Sequence, residues 1–372
     1  MNGSKLQWPR GVCARILLCG GLAAAMIFGP AAITDAQNWE QDVDFIRHDV
    51  YQAVNSNGTG AYAGGFPFRL RGVVLNNTED WLDPTAAYDP GLHLFELGGQ
   101  AEFYVQAVDL AGDTWDDGDF GGTACWIGQN YGNHVMHQEP VFSYTDAQWY
   151  AELDRLQLWY EGSTAWPLVR AGNLVEIRVR AGLYYSGKMN VNERHLKDPI
   201  YDFEVVILDE DYGLPTPTPL ALEVLKNAAD AAIFDPTRAS GGEHYQSTLL
   251  EICNVRFLED TPWASNTDLT LIDATGRTLG IHLGLNESFD LEPTPEGYFH
   301  VVGILDQLSP GGTGDYRLLA MQAADFSPVP EPGSVALLAA GAVTFWIGAR
   351  QRRRRKARTG THDAKKQRFH VG

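Results

Sequence analysis

Between residues 68 and 321 the chain alternates apolar and polar side chains with a period of two, interrupted by Gly, Asp, Asn and Pro. Alternation of this kind puts successive side chains on opposite faces of an extended backbone, so it commits the region to half-buried strands. Strands are expected at residues 68–75, 102–108, 174–180 and 203–208, then at 248–257, 269–273, 278–283, 299–305 and 316–321. Residues 146–158 read instead as a helix, with Asp146 as N-cap and Trp149, Leu153 and Leu156 on one face. A second short helix is expected at residues 220–232.

Leu214-Pro215-Thr216-Pro217-Thr218-Pro219 divides the strands into two sets. Alternating prolines make a stiff, extended connector that neither a helix nor a central strand tolerates. Each set holds about five strands, the number that suits a small closed barrel. Asp273-Ala274-Thr275-Gly276-Arg277 is a tight turn between two of them. The fold class is therefore all-β. Tyr245-Gln246-Ser247-Thr248-Leu249-Leu250, Trp263, Gly303-Ile304-Leu305-Asp306-Gln307 and Tyr316-Arg317-Leu318 follow one another in an order that resembles the OB-fold-like modules of secreted bacterial proteins. In the first half, Arg71-Gly72-Val73-Val74, Phe103-Tyr104-Val105-Gln106 and residues 172–177 resemble the same plan. The resemblance implies two tandem OB-fold-like β-barrels with short helices, at 63–213 and 220–326, joined by the 214–219 linker and preceded by a lead-in at 37–62.

The two ends differ from the middle in charge. The chain has 28 basic and 47 acidic residues. Residues 1–36 hold three basics and one acid, and residues 333–372 hold ten basics and one acid, which leaves 15 basics and 45 acids between them. A net charge near −30 repels phosphate backbones and attracts divalent cations or basic partners, so nucleic acid is an unfavourable ligand. Lys5, Arg10 and Arg15 precede an uncharged apolar stretch at residues 16–28, and Thr34 and Ala36 set small residues before Gln37. This is the pattern of a signal peptide at 1–36, cut between Ala36 and Gln37. Of the four cysteines only Cys125 and Cys253 then remain, so an apolar core and not a disulfide framework must hold the fold.

At the other end, Val329-Pro330-Glu331-Pro332-Gly333 is followed by the apolar residues 334–349 and then by Arg350 and Arg352-Arg353-Arg354-Arg355-Lys356. The apolar part spans about 24 Å as a transmembrane helix, with the basic run held on the cytoplasmic side. Tripeptide, short helix and arginine cluster in this order resemble the PEP-CTERM sorting signal (residues 327–358, with a basic cytoplasmic tail at 359–372). The resemblance implies recognition of Val329, Pro330, Glu331 and Pro332 by an exosortase-type processing enzyme. It also implies export to the cell envelope or surface, with membrane anchoring through the helix before cleavage.

Chemistry-bearing residues are sparse. Asp109, Asp113, Asp116, Asp117 and Asp119 crowd one loop, where their mutual repulsion makes calcium a candidate ligand, although the spacing is not that of an EF-hand. His134 and His137 are poorly spaced for zinc in a segment that Gly132 and Pro140 keep from being helical. Asn190, Asn192, Glu193, Arg194 and His195 read as a polar loop after Gly187-Lys188. Aromatics enrich the first half; core packing accounts for most of them, and any exposed rings would suit an extracellular polysaccharide. No nucleophile elbow, P-loop or Cys/His pairing is present. The expectation is an exported, non-enzymatic protein with a binding or structural role, and the alternative is a metal-dependent extracellular hydrolase or its accessory module.

Overall fold

A computed structural model describes residues 43–80, 88–89, 94–95, 100–110, 118–129, 144–160, 163–192, 202–258 and 262–329. All of them belong to one compact unit, Glu40–Gly372. The expected signal peptide, its Ala36/Gln37 cut and the apolar segment 334–349 lie outside the described residues. Among the described residues no helix is long and apolar enough to cross a membrane.

The first half runs α1 (His48–Tyr51), β1 (Phe68–Val74), β2 (Tyr88–Asp89), β3 (Leu94–Phe95), β4 (Gln100–Gln106), β5 (Gly122–Gly128), α2 (Asp146–Arg155), β6 (Leu174–Val179), β7 (Gly182–Tyr185), β8 (Lys188–Val191) and β9 (Glu204–Asp209). Its main sheet has the order β7-β8-β5-β4-β1-β6-β9, with β5 and β8 parallel. β1 shows how alternation becomes a face. It pairs β6 from Phe68↔Val179 to Val73↔Leu174, with Phe68 and Leu70 buried while Arg69 and Arg71 point outward. Gly72 lies where β4 crosses closest, and a side chain there would collide with the Gln106 carbonyl. The helix expected at 146–158 is present but shorter. Its N-cap is Thr145 rather than Asp146, because Thr145 and Gln148 exchange capping hydrogen bonds. Trp149, Leu153 and Leu156 are all buried, as their spacing requires.

The second half runs β10 (Thr218–Leu220), α3 (Gly241–Tyr245), β11 (Leu249–Phe257), β12 (Thr267–Asp273), β13 (Thr278–Leu283), α4 (Ser288–Leu291), β14 (Phe299–Gln307), β15 (Tyr316–Ala320) and β16 (Phe326–Pro328). β11-β12-β13-β15-β14 form a closed five-stranded barrel, since β14 pairs back onto β11 and β13 runs parallel to β15. Asp273 makes the expected turn: its Oδ1 accepts from the N–H groups of Thr275 and Arg277 at 2.8 and 3.0 Å.

One expectation fails here. The helix at 220–232 is only a single 3₁₀ turn, Leu222–Val224. Asn227 Oδ1 accepts the N–H groups of Ala229 and Ala231, which closes a turn and pairs Lys226 with Ala232. The C-terminal end of the proline-rich segment joins the second sheet. Thr218, Pro219 and Leu220 pair parallel with Leu250, Glu251 and Ile252 as an edge strand, where one face needs no amide donor.

The halves share one strand logic. Setting aside β7, which pairs only β8, and β10, which pairs only β11, in the main sheet of each half the first strand pairs the second, the second the third, and the third the fifth in parallel after an intervening helix; the fourth returns to the first and carries a sixth at its far side. That sixth strand is β9 in one half and β16 in the other. Only the second ring is completed; among the described residues no ladder joins β6 to β7.

Candidate functional site at the junction of the halves

The halves do not touch end to end. The β4–β5 face of the first half packs on the barrel through one apolar cluster, in which Leu75, Tyr104 and Ala124 meet Leu249, Ile304 and Leu319. Each fully buried Leu or Ile there contributes roughly 1.5–3 kcal/mol of transfer free energy. Backbone and side-chain hydrogen bonds stitch the rim. Leu249 N–H donates to Gln106 Oε1 at 2.8 Å, Ser309 N–H to the Ser186 carbonyl at 2.8 Å, and Leu285 N–H to the Asp80 carbonyl at 2.7 Å.

Buried charge lies at the centre. Lys188 from β8 and Asp306 from β14 are 5 % and 0 % exposed, and the ammonium meets the carboxylate directly. Arg317 Nε donates to the other Asp306 oxygen at 3.0 Å, Glu102 Oε1 lies 3.9 Å from Lys188 Nζ, and the Tyr104 hydroxyl lies 3.5 Å from it. Burial alone would raise the Asp306 carboxyl, but Lys188 and Arg317 hold it below the usual range. Burial pushes Glu102 up despite Lys188 beside it. A second node joins Arg238, which donates to the Gln52 carbonyl at 3.1 Å and to Glu243 at 3.4 Å, with Tyr316 donating to Glu243 at 2.6 Å. Burial also raises the Glu243 carboxyl and lowers the Arg238 guanidinium.

Asp80 seals another part of the rim. It is 5 % exposed, accepts from Asn286 Nδ2 at 3.2 Å, and burial moves its carboxyl from 3.8 to about 6. Between these two values the folded chain holds the proton more tightly than the unfolded chain does. Stability contributed by the protonated form is therefore full below 3.8 and falls as pH rises through about 6. Asp325, raised by burial to about 6, adds to the same slope. Denaturation midpoints measured from pH 4 to 7 are expected to fall with pH, and Asp80→Asn is expected to flatten that fall.

The residues singled out by sequence have other placements. Asp119 accepts from the His48 and Asp49 N–H groups at 3.0 and 3.1 Å and so caps α1; Asp109 is exposed; Asp113, Asp116 and Asp117 lie outside the described residues. His134 and His137 lie outside them too, as do Glu193, Arg194 and His195. Of the polar loop expected after Gly187-Lys188, Asn190 lies on the buried strand β8 and Asn192 just beyond it, at 5 % and 3 % exposure. Arg178 and Arg180 face Glu204 at 3.3 and 2.9 Å, so carboxylates match the basic residues of this sheet. Cys125 and Cys253 are both free thiols. Among the described residues no group of three or more His, Cys, Asp or Glu gathers as a metal site.

The barrel ends at the sorting segment. β16 pairs β14 from Phe299↔Pro328 to Val301↔Phe326, and Val329 N–H donates to the Tyr298 carbonyl at 2.9 Å. Pro330, Glu331 and Pro332 lie outside the described residues. A family model described as the PEP-CTERM protein-sorting motif matches residues 328–354, from the last residue of β16 onward. The chain carries a PEP-CTERM sorting signal. With that signal it is an exported, surface-sorted protein and an exosortase substrate. No curated protein matches the chain. The PEP-CTERM segment thus begins on the edge strand of a closed barrel, with one residue, Val329, still hydrogen-bonded to the fold beyond it.

Proposed function

We propose that this PEP-CTERM protein is a non-enzymatic structural module of the bacterial envelope or extracellular matrix. In this reading a fused pair of OB-fold-like barrels is delivered to the surface by its tail and is held in the membrane through residues 334–349 until an exosortase cuts. The observation that carries the reading is the packing of the β4–β5 face onto the second barrel. In an OB fold the second and third strands form much of the ligand-binding face. Here those strands of the first half are covered by the chain's own second half, which favours rigidity over ligand exchange. The strand order and the parallel third-to-fifth pairing in both halves support the OB-like assignment.

The corresponding face of the second barrel bears Asp268, Thr270, Ile272, Gly280 and His282, with His282 bonded to Asp268 at 2.8 Å. Among these residues there is no Phe, Tyr or Trp ring on which a sugar or base would stack, and the His282 imidazole is engaged by Asp268. A thermal-shift panel with calcium, EDTA, polysaccharides and oligonucleotides tests the proposal. No shift is expected; a ligand that stabilises the protein at concentrations near its Kd would replace the structural reading with a binding one. For the sorting half of the reading, Pro330, Glu331 and Pro332 changed together to Ala are expected to leave the tail uncut, so that the chain stays in the membrane fraction at its unprocessed mass. Normal release of that variant would remove the tripeptide from the recognition step.

A further inference from the structure

We propose that Lys188 and Asp306 are joined by an intramolecular amide, a covalent cross-link that the chain forms between its own two halves. Three features of the junction meet the requirements of that reaction. The first is enforced contact. Lys188 lies on β8, fixed by its ladder to β5, and Asp306 lies on β14, fixed between β11 and β15. Their ammonium and carboxylate groups meet with 5 % and 0 % exposure of the two residues, so bulk water does not separate them. Well-oriented groups in one molecule react with effective molarities on the order of 10⁵–10⁸ M.

The second feature is a proton acceptor beside the amine. Glu102 Oε1 lies 3.9 Å from Lys188 Nζ, a separation that one bridging water or a small side-chain shift closes for the proton that the ammonium must lose before it attacks. Burial gives this carboxyl a raised proton affinity, as an acceptor for that proton needs. The third feature is a donor for the developing charge. Arg317 Nε donates to Asp306 Oδ2 at 3.0 Å and remains bonded to that oxygen when it becomes the oxyanion of the tetrahedral adduct. The Tyr104 hydroxyl, 3.5 Å from Nζ, closes the remaining side.

The step balances without oxidant or co-reactant. Glu102 takes one proton from the Lys188 ammonium and passes it to Asp306 Oδ1, and the neutral amine attacks Cγ of the carboxylic acid so formed. A second proton then leaves nitrogen for the same oxygen, and the Cγ–Oδ1 bond breaks as water departs. One N–C bond replaces one C–O bond, and the product is a neutral amide. The cross-link closes a span of 118 residues and ties the two halves together in a protein whose Cys125 and Cys253 are unpaired.

Mass spectrometry of the purified chain under denaturing conditions, with both its termini determined, tests this. The wild type is expected to be lighter than its sequence by one water. A branched peptide should join the β8 and β14 segments, and trypsin should fail to cut after Lys188. Asp306→Asn is expected to reach the same mass, because ammonia leaves in place of water. Lys188→Arg, which keeps the charge but cannot form the amide, is expected to show its full sequence mass, and Glu102→Gln is expected to leave most of the chain unlinked. Recovery of the wild type at full mass, with the Lys188 and Asp306 peptides separate and linear, would overturn the proposal. A fully linked Glu102→Gln chain would overturn the role given to Glu102.

Discussion

Asp306→Ala is expected to destabilise the folded chain by about 3–5 kcal/mol, the cost typical of removing one partner from a buried charge pair. Asp306 is fully buried and is the group that both Lys188 and Arg317 meet, whether as an ion pair or through the proposed amide. Without it two cations face one another at the junction, and among the described residues Glu102, 3.9 Å from Lys188, is the carboxylate near enough to relieve them. Urea denaturation of wild type and variant measures the difference through midpoint and slope together, because the proposed Lys188–Asp306 amide would keep the unfolded wild type more compact than the variant. A loss below about 1 kcal/mol, the range of an exposed ion pair, would mean that this cluster does not hold the halves together. Because Lys188 and Glu102 come from one half and Asp306 and Arg317 from the other, the loss should also appear as earlier separation of the halves.

Phe299→Ala is expected to cost about 3–5 kcal/mol through the cavity it leaves in the barrel. Phe299 is fully buried, with ring centroids 4.9 Å from Phe257 and 5.4 Å from Phe326. Trp263 completes the group, 5.0 Å from Phe326 and 5.2 Å from Phe289. The effect should reach the sorting segment as well. Phe299 pairs with Pro328, and Phe326 anchors β16 through this ring cluster, so its loss loosens the strand that leads into the PEP-CTERM signal. Limited proteolysis should then cut around residues 326–329 faster than in the wild type. Unchanged protection there would mean that β16 is held by its ladder alone.

Much of the fold is legible in the sequence because alternation is a local signal. β1, β6, β13 and β15 fall within a residue or two of where period-two patterning puts them. What could not be read depends on contacts distant in sequence. Residues 43–62 show no periodicity. Yet Phe45 pairs beside Arg69, Tyr51 donates to the Asn190 carbonyl at 3.0 Å, and buried Gln52 donates to the Met189 carbonyl at 2.8 Å, so the lead-in is part of the first sheet. β5 was not expected because Gly122-Thr123-Ala124-Cys125-Trp126 is buried on nearly all sides and does not alternate. β8 carries no local mark of burial, because Lys188 looks solvated until Asp306, 118 residues away, meets it. Asp306 did carry a signal: an acidic residue at the end of the apolar run from Phe299 to Leu305 demands a buried cation. Nothing local named Lys188 as that cation. The sorting signal is the opposite case. Its tripeptide, apolar stretch and arginines are contiguous, so sequence sufficed.

The central claim is that this surface-sorted chain presents its two halves as one body. Differential scanning calorimetry of the purified protein tests it most directly. The account predicts a single transition whose calorimetric and van't Hoff enthalpies agree, with both halves unfolding together. Two resolved transitions, or a van't Hoff enthalpy about half the calorimetric one, would show that the halves unfold independently and that the junction does not unite them.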